Sequence, residues 1–284
     1  MKTINTVICG GDRRMLSTAS LFSKLGRCCL WRCASGDVMG ADRINTLREA
    51  PKDPCVILPI PSFDKNALLN GGGHVNAEEL FRQLPSNSRI YGAKAAPIIS
   101  RLATEHGHTF FDYGEREDFN LLNAVPTAEA AILIAMEHST KTIQNQTFAV
   151  IGYGRIGKIL ARRLSDLGGR VYVCARSNSA LAAAECDGHI PVALSEALRD
   201  CFSCDICFNT VPVQIFDEVS ICKWKSSYFI ELASLPGGFT EAAKKRLSEK
   251  YITALSLPGR YFPTTAGEII YKTVLSMITN GGAK

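Results

Sequence analysis

A short apolar run that breaks into three spaced glycines constrains this chain more than any other feature. Residues 148–151 lead into Gly152-x-Gly154-x-x-Gly157, and a helical pattern continues from Ile159 to Gly168. Strand, tight turn and helix, in that order, are the setting in which a G-x-G-x-x-G motif binds a dinucleotide. The first glycine permits the turn, the second lets the backbone approach a pyrophosphate, and the third lets the helix pack on the strand. The pattern predicts a bound dinucleotide; the alternative is a glycine turn that has lost its ligand.

The residues after the second strand indicate which dinucleotide binds. An NAD-selective unit carries Asp or Glu about 20 residues after the glycines, but here strand 170–175 is followed by Arg176 and Ser177. A guanidinium and a hydroxyl suit a 2′-phosphate, because arginine pairs bidentately with phosphate oxygens. Arg155 and Ile156 open the helix, where free N–H groups and the helix dipole favour the pyrophosphate. These residues predict NADP in preference to NAD, unless Arg176 is only a solvated loop cation.

Length and composition describe an ordinary globular protein with room for two domains. The chain has 284 residues, of which 46% are hydrophobic and 21% are charged, so each of two domains can bury its own core. The net charge of +5 includes no block of like charges and favours neither nucleic acid nor a membrane as partner. No apolar run approaches the roughly 18 residues that span a bilayer, and no secretory signal pattern follows Met1. We expect a cytoplasmic protein.

Eleven cysteines are many for a chain of this size. Most lie inside apolar runs, where a free cysteine behaves as a small hydrophobic residue. The C-x-x-C spacing from Cys201 to Cys204 has no second pair or histidines at a matching distance. We therefore expect these cysteines to fill packing space in a reducing compartment, and we predict no metal site.

Strand and helix patterns alternate along the first half of the chain, which indicates a parallel sheet covered by helices on both faces. We predict an α/β fold with two doubly wound parallel sheets. A flavodoxin-like substrate domain is expected over residues 1–124, and a Rossmann dinucleotide-binding domain over residues 125–264. By analogy with two-domain dehydrogenases, a C-terminal helix within residues 265–284 is expected to return to the first domain.

A further helix is predicted between the two domains. Pro126, Thr127 and Glu129 precede an apolar stretch from Ala130 to Glu137. Proline is favoured at a helix start, threonine is a good N-cap, and an acidic residue in the first turn interacts well with the helix dipole. The pattern predicts that this helix begins at Thr127 and links the domains.

Ligands of open parallel sheets bind outside the carboxyl ends of the strands, which selects further candidate residues. They are Gly10, Gly11, Asp12 and Arg14 in the first domain, and Thr210, Val211, Pro212, Ala233, Ser234 and Arg260 in the second. We expect Thr210 and Ser234 near the nicotinamide ribose or carboxamide, although simple turn chemistry would also explain both.

Histidine, the usual acid–base residue of dehydrogenases, is missing from the expected place. The five histidines lie at 74, 106, 108, 138 and 189, and none follows the late strands. Either the reaction needs little acid–base help, or a carboxylate such as Glu129 or Asp12 supplies it.

Several short motifs occur along the chain, and their order is informative. They are Gly10-Gly11-Asp12 with Arg14, Asn-x-x-Pro-Thr-x-Glu at 123–129, the glycine motif, Ala-Arg-Ser at 175–177, Asp-Ile-Cys-Phe-Asn-Thr-Val-Pro at 205–212, Leu-Ala-Ser-x-Pro-Gly-Gly at 232–238, Leu-Pro-Gly at 257–259 and Pro-x-Thr-Ala-Gly-Glu-Ile at 263–269. Together they resemble the family of dipicolinate synthase A subunits, which are bacterial sporulation enzymes. The resemblance covers nearly the whole chain and is weakest over residues 31–67.

This resemblance implies NADP-dependent oxidation of a dihydrodipicolinate-type ring to pyridine-2,6-dicarboxylate. It also implies a partner, the flavoprotein-like B subunit of dipicolinate synthase, and the mother cell of a sporulating bacterium as location, and we expect a homo-oligomer. Removing a hydride from a dihydropyridine gains aromaticity, so a strong base is less needed and the protein mainly orients the ring and the cofactor.

The two carboxylates of such a substrate need cationic or N–H partners. Our candidates are Arg14 and Arg260, assisted by backbone N–H groups near Gly10 and Gly11; surface solvation is the alternative for each arginine. We also expect Thr127 and Glu129 to face the crevice, although a helix cap and a first-turn acid would explain both.

Two other functions stay open. The first is a 2-hydroxy- or amino-acid dehydrogenase of the same architecture, against which the missing late histidine counts. The second is a non-catalytic nucleotide-binding subunit that positions or regulates a flavoprotein. The absence of a clear proton-transfer residue keeps this second function open.

Overall fold

The computed structural model describes residues 3–280, and its internal contacts divide the chain into two units. Unit 1 comprises the residues up to Asn123 together with those from Pro258 onward, and unit 2 comprises Ala124–Leu257. Each unit is built on a six-stranded parallel sheet. The predicted α/β class, with a Rossmann-type second sheet, is confirmed.

The sheet of unit 1 has the strand order β3-β2-β1-β4-β5-β6. Its elements, numbered in chain order, are β1 (Thr6–Cys9), α1 (Arg13–Phe22), β2 (Cys28–Trp31), β3 (Ala41–Arg43), β4 (Cys55–Ile57), α2 (Ala77–Gln83), β5 (Arg89–Gly92), α3 (Pro97–Glu105) and β6 (Thr109–Asp112). This six-strand order is the usual Rossmann order, and the flavodoxin-like order expected for this domain is obtained only when β3 is left out. The edge strand β3 was not predicted, because its residues are largely exposed and show no apolar pattern.

Both faces of this sheet carry apolar side chains. Val7 and Cys9 belong to the core on one face, whereas Ile8 lies in the core on the other. A parallel sheet with helices on both sides buries successive residues of each strand in this way. The strand cysteines therefore pack as small hydrophobic residues, and the described cysteines are free thiols.

Helix α4 (Glu117–His138) corrects the predicted linking helix. Pro126 lies inside α4, so Thr127 is an interior residue and not its N-cap. Proline suggested a helix start because it is favoured there, but an interior proline removes only one i→i−4 hydrogen bond. Buried apolar side chains on both sides of Pro126, such as Ala124 and Ala128, offset that loss. The division between the units falls inside this helix.

Helix α4 is also the one described helix that is long and apolar enough to cross a membrane by length and composition. Its most apolar window has a mean hydropathy of 1.4, and 56% of that window is buried inside the fold. A core helix of a folded domain has the same composition, so these properties alone do not place α4 in a membrane.

The sheet of unit 2 has the strand order β14-β13-β11-β7-β8-β9. Its elements are β7 (Thr147–Ile151), α5 (Arg155–Asp166), β8 (Arg170–Ala175), α6 (Asn178–Cys186), β9 (Ile190–Ala193), α7 (Leu194–Arg199), β10 (Phe202–Ser203), β11 (Ile206–Asn209), α8 (Glu218–Cys222), β12 (Trp224–Lys225), β13 (Tyr228–Glu231), α9 (Glu241–Leu247) and β14 (Tyr251–Thr253). Strands β10 and β12 form a separate parallel pair. The main sheet reverses its order between β7 and β11, which is where dinucleotides bind in Rossmann folds.

Two helices complete the chain, α10 (Leu257–Tyr261) and α11 (Pro263–Thr279). Helix α11 packs on α1 within unit 1: the Thr18 hydroxyl donates to the Gly267 carbonyl at 3.0 Å, and the rings of Phe22 and Tyr271 meet at 4.8 Å. The predicted segment 265–284 extends to residues 281–284, which lie outside the described residues.

Candidate functional site

Two of the three motif glycines are required by packing inside unit 2. Gly152 has φ +92°, and a Cβ there would lie 2.7 Å from atoms of both Thr210 and Val211. A Cβ on Gly157 would collide with the carbonyl oxygen of Gly152. The turn therefore holds β7, β11 and α5 close together, as this motif requires.

Packing does not require a glycine at the middle position of the motif, Gly154. Gly154 has φ −85° and extended backbone, and a Cβ there would meet no heavy atom within 4 Å. It is the N-cap of α5, and no side chain caps this helix start. Nothing in the described chain requires glycine at this position, whereas a phosphate group approaching the backbone would. The open space and the helix N-terminus fit a dinucleotide pyrophosphate.

A cavity of about 360 Å³ opens beside this turn. It is lined by Gly152, Tyr153, Gly154, Cys174, Ala175, Arg176, Ser177, Ala180, Leu194, Thr210, Val211 and Pro212. Seven of these residues were predicted as cofactor-binding. Its mainly apolar wall with a few polar groups suits a nucleoside. Of the other predicted cofactor residues, Arg155, Ile156 and Gly157 form the start of α5, and Ala233 follows β13.

The residues proposed to select the cofactor lie at the mouth of this cavity. The Ser177 hydroxyl caps α6 by accepting a hydrogen bond from the Ala180 N–H at 3.2 Å. Arg176 is exposed, and it forms no ion pair within residues 3–280. A free guanidinium beside a capped helix start is compatible with a 2′-phosphate.

The loop after β11 is fixed to the glycine turn. The Thr210 hydroxyl donates to the Ile151 carbonyl at 2.8 Å, so its proton is used to hold the loop. Its oxygen can still accept from a ligand. Ser234, in the loop after β13, is exposed.

A buried acid at the end of β13 was missed by sequence reasoning. The Glu231 carboxylate is only 2% exposed and accepts hydrogen bonds from Asn209 Nδ2 at 2.7 Å, the Ala233 N–H at 3.0 Å and the Gly238 N–H at 2.7 Å. Burial raises the pKa of Glu231, although these donors act in the opposite direction. The only sequence signal was an acid that ends an otherwise apolar strand.

This carboxylate and its partner explain the paired glycines of the motif at 232–238. Gly237 has φ +78°, and a Cβ there would lie 2.9 Å from Glu231 Oε2. A Cβ on Gly238 would collide with Asn209 Nδ2. The loop after β13 can close over the Asn209–Glu231 pair only because both positions lack a side chain.

In unit 1, two predicted site residues bind each other. Arg14 donates from Nε to Asp12 Oδ1 and from Nη2 to Asp12 Oδ2, both at 2.9 Å, and Nη2 also donates to the Ile60 carbonyl at 2.9 Å. Asp12 caps α1 by accepting from the Arg14 N–H at 3.0 Å. The carboxylate predicted as catalytic is thus engaged in orienting the arginine predicted to bind substrate.

The predicted use of the Gly10 and Gly11 N–H groups does not agree with the structure. The Gly10 N–H donates to the Trp31 carbonyl at 3.0 Å, and the Gly11 N–H donates to the Asn70 carbonyl at 2.7 Å. Both groups are therefore satisfied within unit 1 and do not face a ligand in this conformation. The loop that contains Asn70 and Gly71 packs on this turn and takes one of these donors.

The remaining candidates lie outside the cavity of unit 2. Glu129 forms an ion pair with Arg163 at 3.0 Å, and both side chains are 41% exposed. Thr127 is buried in α4. Arg260 is exposed and stacks over the Tyr261 ring at 5.4 Å.

One histidine lies close to the glycine turn, although not in the cavity. His189 is only 6% exposed, its ring is 6.0 Å from that of Tyr153, and both of its ring nitrogens are buried without a partner in the described chain. Burial lowers the pKa of His189, although the Asp187 and Asp166 carboxylates act in the opposite direction.

The lowered pKa predicts an acid-sensitive step in stability. The folded chain favours neutral His189, so its contribution is complete above the unfolded pKa of about 6.5 and is lost as pH falls through the lower folded pKa. We expect the free energy of unfolding to fall less between pH 7.5 and pH 5 in His189→Phe than in the wild type. Urea unfolding at both pH values measures this, with exposed His74→Phe as control; equal slopes in the wild type and His189→Phe would contradict it.

Comparisons with known proteins agree with a dinucleotide-binding domain in unit 2. A family model described as the NAD-binding domain of D-isomer specific 2-hydroxyacid dehydrogenases matches residues 129–229, all of which lie in unit 2. The A subunit of dipicolinate synthase from Bacillus subtilis (strain 168) is 30% identical over 195 residues, which are 68% of this chain and 66% of that protein. The matched domain indicates a nicotinamide dinucleotide cofactor and an oxidoreductase.

Two solved structures extend the likeness to nearly the whole chain. The A subunit of dipicolinate synthase from Bacillus halodurans has a TM-score of 0.85 and 27% identity, covering 98% of this chain and 99% of that one. The same component of the Bacillus subtilis synthase has a TM-score of 0.83 and 25% identity, covering 99% of this chain and 97% of that one.

Proposed function

Because this chain belongs to the family of dipicolinate synthase A subunits, we propose that it oxidises a dihydrodipicolinate-type ring to pyridine-2,6-dicarboxylate with NADP. The observation that supports the cofactor part is the open space at Gly154, because no contact among residues 3–280 requires a glycine there. The α5 N-terminus would hold the pyrophosphate, the cavity the adenosine, and Arg176 with Ser177 the 2′-phosphate. When bound, the nicotinamide supplies the hydride acceptor.

The protein's own contribution is to bind and orient. The ring loses a hydride from carbon and one proton, and the aromaticity gained lets a weak base or water take that proton. We propose that Arg14, held in place by Asp12, and Arg260 bind the two carboxylates. Glu129 and Asp12 are the carboxylates proposed to assist the proton transfer, and each is paired with an arginine, Arg163 and Arg14 respectively.

The family implies a partner, which we propose to be the flavoprotein-like B subunit of dipicolinate synthase. We also propose a homo-oligomer in the cytoplasm of the mother cell. Purified chain mixed with NADP and a dihydrodipicolinate should produce reduced cofactor, followed by absorbance. A signal that needs the flavoprotein-like partner to be added would favour the alternative of a non-catalytic nucleotide-binding component. No signal in either mixture would contradict the proposed reaction.

Arg176→Ala should weaken NADP binding about tenfold or more and leave NAD binding unchanged. A charge-assisted hydrogen bond contributes about 1.5–3 kcal/mol, and only NADP carries the 2′-phosphate that would accept it. Titration calorimetry with both dinucleotides measures the effect. Arg162→Ala removes another exposed arginine of unit 2, one outside the cavity, and should change neither affinity. Equal losses for NADP and NAD in Arg176→Ala would contradict the selectivity.

A further inference from the structure

We propose that Glu231 is a positioning residue, which acts with Asn209 to hold the two loops that flank the dinucleotide in one fixed arrangement. One loop, residues 210–212, lines the cavity. The other, residues 233–238, carries Ser234. This inference rests on the proposed function for the presence of a dinucleotide, but not for the link between the loops.

The link is a continuous chain of hydrogen bonds. Asn209 and Glu231 are register partners at the carboxyl ends of the neighbouring strands β11 and β13. Asn209 Nδ2 donates both to Glu231 Oε1 at 2.7 Å and to the Val211 carbonyl at 2.9 Å, while Asn209 Oδ1 accepts from the Val211 N–H at 3.2 Å. Glu231 then accepts from the N–H groups of Ala233 and Gly238. The backbones on either side of the site are thereby joined through two side chains.

A carboxylate is the group that this geometry requires. Glu231 meets three N–H donors and presents no donor of its own. A glutamine could keep the two bonds at Oε1, but its amide N–H groups would then face the Gly238 N–H. Burying a charge is costly unless it is paired or hydrogen-bonded, and apolar residues would fill the same space without that cost. The acid is explained if the exact placement of the two loops matters for binding.

Glu231→Gln should therefore release the 233–238 loop while keeping the volume of the side chain. We expect the dissociation constant of the dinucleotide to rise about tenfold, the size of one lost hydrogen-bond link at a binding site. KM for the dinucleotide should rise by a similar factor while kcat at saturation changes little. Amide hydrogen exchange at Gly238, which loses its acceptor, should accelerate even without a ligand. Glu231→Asp, which keeps the charge, should restore part of the affinity.

The matched control is Asp205→Asn, at the opposite end of β11. Its carboxylate accepts hydrogen bonds from the Thr147 N–H and hydroxyl, each at 2.8 Å, and from Lys141 Nζ at 3.0 Å. Asp205→Asn should lower the thermal unfolding temperature without changing the dinucleotide dissociation constant. A loss of affinity that merely followed stability would appear in both variants.

The proposal fails if folded Glu231→Gln binds the dinucleotide as the wild type does, or if its exchange at Gly238 is unchanged. Should Glu231→Gln not fold, Asn209→Ala interrupts the same link from the other side and must weaken binding. A wild-type chain that binds neither NADP nor NAD would refute the dinucleotide part of the proposed function. In that case the exchange measurement on the ligand-free variants still decides whether the two loops are coupled.

Discussion

Gly154→Ser should raise the dissociation constant for the dinucleotide at least about tenfold, while the ligand-free protein becomes no less stable. A Cβ at this position would meet no heavy atom of the described residues within 4 Å, and the backbone of Gly154 is already in the extended conformation of an N-cap. Serine is a favourable N-cap, so α5 gains a hydrogen bond. The same hydroxyl occupies the space and the N–H groups that the pyrophosphate would use.

Calorimetric titration with NADP and urea unfolding without ligand measure the two halves of this prediction. Ala96→Ser is the matched control, since Ala96 is the N-cap of α3 in unit 1 and makes no side-chain cap bond. It should gain about 0.5–2 kcal/mol of stability with unchanged dinucleotide binding. Full affinity in Gly154→Ser would show that no phosphate approaches the backbone there, and the proposed site would be lost.

Gly267→Val should lower the free energy of unfolding by about 3 kcal/mol, the upper range for an overpacked core. A Cβ at Gly267 would lie 2.5 Å from the Arg14 carbonyl oxygen and 2.6 Å from the Ser17 Cβ. Helix α11 could then approach α1 only by shifting, which also breaks the hydrogen bond from the Thr18 hydroxyl. Urea unfolding followed by circular dichroism measures the loss.

Thr265→Val is the control for this second prediction. It places the same side chain on the same helix at an exposed position, and its stability should stay within about 0.5 kcal/mol of the wild type. Wild-type stability in Gly267→Val would mean that α11 does not pack on α1 as described. Because Gly267 lies far from the glycine motif in sequence and in a different unit, dinucleotide binding by folded protein should be unaffected.

The alternating patterns predicted the α/β class because parallel strands with both faces buried give continuous apolar runs. The glycine motif, together with the rule that ligands bind at the carboxyl ends of parallel strands, likewise predicted which cavity residues come together. Seven predicted cofactor residues line one cavity. The roles of those residues, and the preference for NADP, stay predictions.

Features that depend on distant contacts could not be predicted. Helix α4 continues through Pro126 because packing outweighs one lost hydrogen bond, which the local preference of proline does not reveal. Strand β3 forms only because β2 offers it a free edge. Glu231 is explained only by donors from the neighbouring strand and the following loop.

The reason for the glycine in the Leu-Pro-Gly motif also lies in a distant contact that the sequence does not reveal. A Cβ on Gly259 would lie 2.9 Å from Arg14 Nε and 3.0 Å from Asp12 Oδ2. That glycine therefore leaves room for an ion pair about 250 residues earlier in the chain. The motif residues that carried the family resemblance are, in several cases, glycines that accommodate a buried or half-buried polar pair.

The two sheets share one strand order, and each has a glycine turn after its first strand. In unit 1 the chain's own backbone lies on that turn: a Cβ on Gly10 would be 2.6 Å from the Asn70 carbonyl oxygen, and one on Gly71 would be 2.5 Å from the Gly11 nitrogen. In unit 2 the turn is open at its helix N-cap instead: a Cβ on Gly154 would meet no heavy atom of residues 3–280 within 4 Å. The backbone of unit 1 therefore covers its own glycine turn, whereas the turn of unit 2 leaves its helix start accessible to a phosphate group.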